Sequence, residues 1–297
     1  MRTLKTSAIN VCIVCILLFL VPAACVREDT ESCVQYKLNV RAVDVEGNDL
    51  TKSGVLQKAD VYLFNEKGFV RMVPAGISSD FLFGHDKSEK LTLVAWGNIK
   101  EDTLTTTDIT PGTSIGTARL KLKQHAVGSH LPITYIFYCR RELNRATTRG
   151  MQEENITLVM ERMAAGLSIR TRYLAERYPY NGTPYTFIVR GTGTEVDFMG
   201  KVAGESAGYK PLSTTDYKGD IYAPPFRIFP TGEQGSIEID IYRKQEKLCT
   251  IKEDNEFEPL YVPVGKQTNI DIDFRYAEVK AFVNVVPWGQ VSQDTEM

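Results

Sequence analysis

Histidine is almost missing from this chain: His85, His125 and His130 are the only three in 297 residues. Histidine is the usual metal ligand and the side chain that titrates near neutral pH, so the shortage narrows the catalytic options at once. Two of the three flank a Val-Gly-Ser loop, and that HxxxxH spacing lacks the helical i, i+4 face of a zinc protease. There is no basic excess either. The chain has 35 Lys and Arg against 37 Asp and Glu, so nothing in its charge draws it to nucleic acid or to an anionic bilayer. Phosphate loops are absent, since no Lys-Ser/Thr follows Gly191-Thr192-Gly193 or Gly200. Ser213-Thr214-Thr215-Asp216 has no histidine near it and no nucleophile elbow. Glu253 and Asp254 are adjacent, so on a strand they point to opposite faces. In a loop they lack the alternating spacing of a calcium site. These absences point away from an enzyme, and no cofactor, metal or small-molecule substrate is expected.

The N-terminus is better furnished. Arg2 and Lys5 precede an apolar stretch over residues 11–21, and Pro22-Ala23-Ala24 leads into Cys25. A basic start, a short apolar core and small residues before a cut describe an export signal. The core is about half the ~20 residues of a spanning helix. A cysteine after two small residues makes it a lipoprotein signal: residues 1–24 are removed between Ala24 and Cys25, and Cys25 takes the lipid. Pro22 stands where leucine is usual. The mature chain is mildly acidic once Arg2 and Lys5 leave, so its membrane attachment must come from the acyl chains, at ~0.8 kcal/mol per buried CH₂. Residues 25–33 form a short acidic tether, similar to the surface-export signal of Bacteroidetes lipoproteins.

Of six cysteines, Cys12 and Cys15 leave with the signal and Cys25 is lipidated. Cys33, Cys139 and Cys249 remain, an odd number for an oxidising compartment. One reading pairs Cys33 with Cys139 and leaves one free thiol; the other has three buried free thiols. No two lie at metal-ligand spacing.

From Val34 on, the pattern is strand, turn, strand. Val34, Tyr36, Leu38, Val40 and Ala42 alternate with polar residues, the period of a half-buried strand. Residues 59–64, 90–96, 118–123 and 133–138 read as further strands, with 90–96 apolar almost throughout. Residues 140–154, polar and arginine-rich, read as a loop. Residues 155–173 read as two strands kinked at Ala164-Ala165-Gly166. The same rhythm continues at 185–190, 222–229, 236–243, 247–252, 260–264, 267–274 and 279–286. So many strands with few helix signals predict an all-β chain. It is too long for one ordinary sandwich, and divides at the kink into an N-terminal sandwich, residues 34–162, and a C-terminal one, residues 163–297. Tyr178, Tyr180, Tyr217 and Tyr222 could form an aromatic sugar platform if they converge; rim or core filling is the plainer reading.

Signal, tether and strands together carry a resemblance. After the lipid cysteine come Cys33, an alternating first strand, VYLFNEKGFV, LTLVAWGN, LVMERMAAGLSIR and finally PVGKQTNIDIDFRYAEVKAFVNVVPWGQ. In this order they resemble the FimB-like fimbrial anchor family of Bacteroidetes, base subunits of type V pili, over nearly the whole mature chain. The resemblance implies two tandem transthyretin-like β-sandwich domains. It also implies an anchor that fixes a fimbria to the outer membrane, at the cell surface, and limits its length through strand exchange with a stalk pilin. Stalk pilins of this type lose their first strand to a protease, which opens a groove for a neighbour's C-terminal strand. Here the first strand sits beside the lipid, so a cut behind it would sever the body from its anchor. The chain is therefore expected to keep strand one and to act as donor. The candidate donor is the last strand, with Ala281, Val283, Val285 and Trp288; the other reading is that this strand completes its own sandwich. A surface glycan-binding lipoprotein and a tip adhesin of the same superfamily are the alternative functions.

Overall fold

The structure, a computed structural model, describes residues 33–75, 81–86, 90–143, 152–179, 182, 184–232 and 235–288. The signal, Cys25, residues 26–32, Tyr180 and the tail after Trp288 lie outside them.

Among the described residues the chain is all-β apart from two single turns of helix. Seven strands make the first sheet: β1 (Cys33–Val43), β2 (Ala59–Asn65), β3 (Gly68–Ala75), β4 (Phe81–Asp86), β5 (Leu91–Gly97), β10 (Phe137–Leu143) and β11 (Gln152–Arg162). Their order is β3-β2-β5-β10-β11-β1-β4, and the edge strands β3 and β4 come back into contact. One face of this curled sheet is its core. Tyr36, Leu38, Val40 and Ala42 of β1 meet Ala59, Val61 and Leu63 of β2, Leu91, Leu93 and Ala95 of β5, and Ile156, Leu158 and Met160 of β11. Each set is spaced by two, as strand geometry requires.

A smaller sheet covers part of the other face. It contains β6 (Leu104–Thr106), β7 (Arg119–Leu122), β14 (Gly193–Asp197) and β15 (Val202–Ser206), in the order β15-β14-β7-β6. Two of its strands precede Arg162 and two follow it, so the halves share a sheet. Tyr62 packs edge-on against Phe198 at 5.0 Å, and Trp96 lies 5.8 Å from the same ring. This second layer explains why residues 90–96 are apolar without alternation: Val94 and Trp96 are buried on the face that a single sheet would leave wet.

The second sandwich pairs two sheets. The larger contains β12 (Ala165–Arg172), β16 (Thr214–Thr215), β17 (Ile221–Ile228), β20 (Lys266–Asp273) and β21 (Lys280–Pro287), in the order β16-β17-β12-β20-β21. The smaller contains β13 (Tyr185–Arg190), β18 (Glu238–Arg243) and β19 (Glu246–Ile251). Between them lie Leu167, Ile169, Ile270, Ile272, Phe187, Val189, Ile239 and Ile241. The two halves repeat one pairing scheme. β1 runs parallel to β11 and antiparallel to β4, and β12 runs parallel to β20 and antiparallel to β17.

Residues 140–154 are not simply a loop. Arg140–Leu143 continue β10 against β5, and Gln152–Glu154 begin β11 against β1. Arg140, Arg141 and Glu142 stay exposed while their backbones pair, so partner strands rather than local composition set the extent of the strands.

Four hairpin turns use one device. Asp44, Asp197, Asp216 and Asp254 each accept, on a single carboxylate oxygen, the amides two and four residues ahead, at 2.8–3.0 Å. Each turn needs a left-handed residue three places after the Asp. Gly47, Gly200 and Gly219 fill three of these places, but Phe257 fills the fourth at φ 66°. A side chain there costs roughly 1–3 kcal/mol, and Phe257 recovers little by packing because it is 74% exposed. Phe257→Gly should therefore stabilise the protein by about 1 kcal/mol, after the extra unfolded-state entropy of glycine is deducted. The check is the urea midpoint at unchanged m-value.

Candidate functional site

Attachment chemistry is expected next to the first and last described strands, and the fold pairs both strands into sheets. β1, the strand behind Cys25, is interior. It pairs with β11 from Val34↔Gln152 to Val43↔Glu161, and with β4 from Cys33↔Asp86 to Leu38↔Phe81. Both of its backbone edges are in use, and four of its side chains fill the first core.

The last strand, β21, pairs antiparallel with β20 along its whole length, from Asp273↔Lys280 to Lys266↔Pro287. No strand lies beyond it in that sheet among the described residues. Of the candidate donor residues, Ala281 is buried in the core, Val283 packs against it and Val285 is half-buried. The segment thus completes its own sheet, and its outer edge is open except where the Asn255 amide donates to the Ala281 carbonyl at 2.8 Å.

Trp288 turns back over the face of that sheet. Arg227, Gly166, Gln267 and Val286 form one row across β17, β12, β20 and β21. The indole crosses this row to lie over Gly166, where a Cβ would stand 3.2 Å from the ring and 2.2 Å from the side-chain oxygen of Gln267. Glycine is required there for room. The indole ends beside two arginines and a tyrosine from the first half of the chain. Arg227 lies 3.4 Å from the Tyr135 ring centre and 5.2 Å from that of Trp288. Arg162 lies 5.3 Å and 5.0 Å from the same rings, and the rings are 5.4 Å apart.

Arg162 is only 8% exposed, yet its Nε and Nη1 have no hydrogen-bond partner, and neither does Nε of Arg227. Burial holds both guanidiniums below the ordinary arginine value, and for Arg162 the charge of Arg227 adds to the effect. Tyr135, and after it Asp44, oppose that shift for Arg162, and the Asp44 carboxylate is engaged in its own turn. Trp288 was legible as a closing residue; Arg162, Arg227 and Tyr135 were not. The available signal was Arg162, which with Glu161 stands between Met160 and Met163 inside an apolar run.

The proposed Cys33–Cys139 disulfide is corrected. Cys139 is a free thiol, as is Cys249. Val34 pairs with Gln152 at one end of β11, while Tyr138 pairs with Glu161 at the other. That separation is about 30 Å at strand rise, far beyond disulfide reach. Burial pushes both thiols up to about 11, which keeps them protonated and unreactive near neutral pH.

The remaining candidates are dispersed. Among the described residues, no group of three His, Cys, Asp or Glu is placed to hold a metal. His125 and His130 sit on the hairpin formed by β8 (Gln124–Ala126) and β9 (Ser129–His130), where His130 accepts the Gly208 amide at 3.4 Å. The described tyrosines of the sugar platform have separate partners: Tyr178 packs on Phe274, Tyr222 on Arg170 and Tyr217 beside Lys218. Tyr222 and Arg170 do line a cleft of ≈ 460 Å³, with Arg172, Glu176 and Asp220.

Known proteins share this architecture. The family model for fimbrillin-A associated anchor proteins Mfa1 and Mfa2 matches residues 27–294. The major fimbrium anchoring subunit FimB of Porphyromonas gingivalis is 25% identical over 300 aligned residues, covering 96% of this chain and 97% of that protein. The solved structure of the fimbrial anchor protein Mfa2 from the same organism superposes with a TM-score of 0.64 at 14% identity, over 86% of this chain and 98% of that one. A Bacteroides thetaiotaomicron structure, proposed to be of a polysaccharide-binding protein, gives 0.63 at 13% identity, with 86% and 98% coverage. The family match takes in every strand of both sandwiches, and the chain belongs to the fimbrillin-A associated anchor proteins.

Proposed function

We propose that this protein is the base subunit of a fimbria. It is held in the outer membrane, at the cell surface, by lipid on Cys25 and engages a stalk pilin through strand exchange at β21. The supporting observation is the position of β1. The step from Cys25 to Cys33 spans at most about 28 Å, and the strand that follows is locked between β11 and β4. Force on the fimbria would pass through the first sandwich into β1 and so into the lipid. A sandwich that keeps β1 offers no vacant groove, so a growing fimbria finds no acceptor here and its length is limited at this subunit. β21 is the cheaper strand to exchange, because an edge strand gives up one ladder where an interior strand gives up two. The role is structural, and no catalysis is proposed.

Deleting the residues after Val286 tests the exchange. The truncated chain should stay folded and membrane-bound while fimbriae are shed into the medium. Unchanged retention of fimbriae would sink the reading.

A second reading rests on the cleft beside Tyr222, whose exposed ring and charged rim suit a glycan. Glycan-array binding abolished by Tyr222→Ala would support it. The tip-adhesin alternative is disfavoured because it requires loss of β1.

A further inference from the structure

We infer that Arg162 and Arg227 form a carboxylate-binding site for an acidic side chain of the stalk subunit, and that Trp288 occupies this site in the unassembled chain. The inference rests on the anchoring role proposed above. Three observations carry it. The two guanidiniums lie together with Nε of each, and Nη1 of Arg162, lacking a hydrogen-bond partner. Neither buried Arg162 nor half-buried Arg227, which hydrogen-bonds Tyr135, makes an ion pair among the described residues, although buried arginines are ordinarily paired with acids. What covers them instead is the end of the open edge strand: Trp288 directly follows β21 and lies on a glycine shelf that a Cβ would fill.

The arrangement has two states. With β21 in place, the indole and Tyr135 present π-faces to the cations. When β21 shifts to pair with another chain, its last residues move and Trp288 is drawn off Gly166. Both guanidiniums then lose one ring and turn unpaired N–H donors toward the vacated space. A carboxylate there takes charge-assisted hydrogen bonds from the planar forks, a geometry that an amide cannot match and that lysine reproduces only as a point charge. The site would thus couple strand exchange to the charge of the incoming strand.

The test uses the mature chain and two synthetic nine-residue peptides of alternating Thr and Val, one with a central Glu and the other with Gln. Emission of Trp288 is followed by difference against the Trp288→Phe chain. The Glu peptide should bind at least about tenfold tighter than the Gln peptide, consistent with a hydrogen bond to a charged group, and should alter the Trp288 signal. Arg162→Gln and Arg227→Gln should each erase the preference, and Arg227→Lys should keep part of it. Equal binding of the two peptides to the wild-type chain overturns the site, and that comparison needs no variant to fold. A preference that survives both Arg→Gln changes overturns it too. If the wild-type chain retains fimbriae but shows no Glu preference, the site fails and the anchoring role stands. If the preference is present in a chain that holds no fimbriae, the anchoring role fails instead.

Discussion

Cys25→Ala moves essentially all of the protein out of the membrane fraction. The chain has 35 Lys and Arg against 37 Asp and Glu, so it has no net electrostatic hold on an anionic surface. Among the described residues no helix is long and apolar enough to cross a bilayer. Under the lipidation proposed above, acyl chains on Cys25 would supply the attachment. A single acyl chain gives an association constant of about 10⁴ M⁻¹, and a second multiplies that value. Loss of both removes that association altogether, so the protein should shift from the membrane to the soluble fraction. Intact mass of the wild-type protein supplies the second readout: the first residue should be Cys25, with acyl mass added. Pro22 makes the cut worth measuring directly, because a ring at that position changes how the segment lies extended in a peptidase cleft. A Cys25→Ala chain that stays with the membrane would falsify the lipid assignment, whatever the fold.

Much of the fold was legible because strand burial leaves a period of two. The alternation from Val34 to Ala42 marks β1 and also names its inward residues, and all but Val34, whose side chain is not described, are buried. Legibility failed where a partner, not the segment itself, decides. Residues 140–143 are charged and exposed, yet they are strand because β5 pairs with them. Residues 260–264 are apolar, yet they are not strand: Pro259 and Pro263 remove backbone donors, and the segment is held by irregular bonds such as Leu260 to Lys252 and Thr231 to Val262. The pairing of β6 and β7 with β14 and β15 joins distant parts of the chain, which local pattern cannot foresee. The arginine cluster is hidden for the same reason. Tyr135, Arg162, Arg227 and Trp288 come from four separate segments, and only the shared row across the larger sheet of the second sandwich brings them together.

Severing the chain behind β1 should leave the body on the membrane. The sequence alone suggests the opposite, since a cut between the first two strands breaks the covalent path to the lipid. The sheet order changes that expectation. A protease site built into the exposed turn at Glu46-Gly47 would free β1 at one end only. β1 would still carry two ladders of backbone bonds and four core side chains. The cut protein should therefore sediment with membranes until denaturant is added. Leu38→Ala supplies the contrast. Leu38 is 1% exposed, and its truncation should cost about 3–4 kcal/mol, a weakening of β1 binding by more than about 100-fold. The uncut Leu38→Ala chain should remain membrane-bound, while the cut one should release its body at much lower urea. If the wild-type body falls away as soon as it is cut, β1 is held by the chain and not by the sheet. Retention after cutting would mean that proteolysis alone does not open an acceptor groove in this protein. A groove would appear only when another strand displaced β1 from between β11 and β4, and that competitor would have to replace both ladders and the buried side chains together.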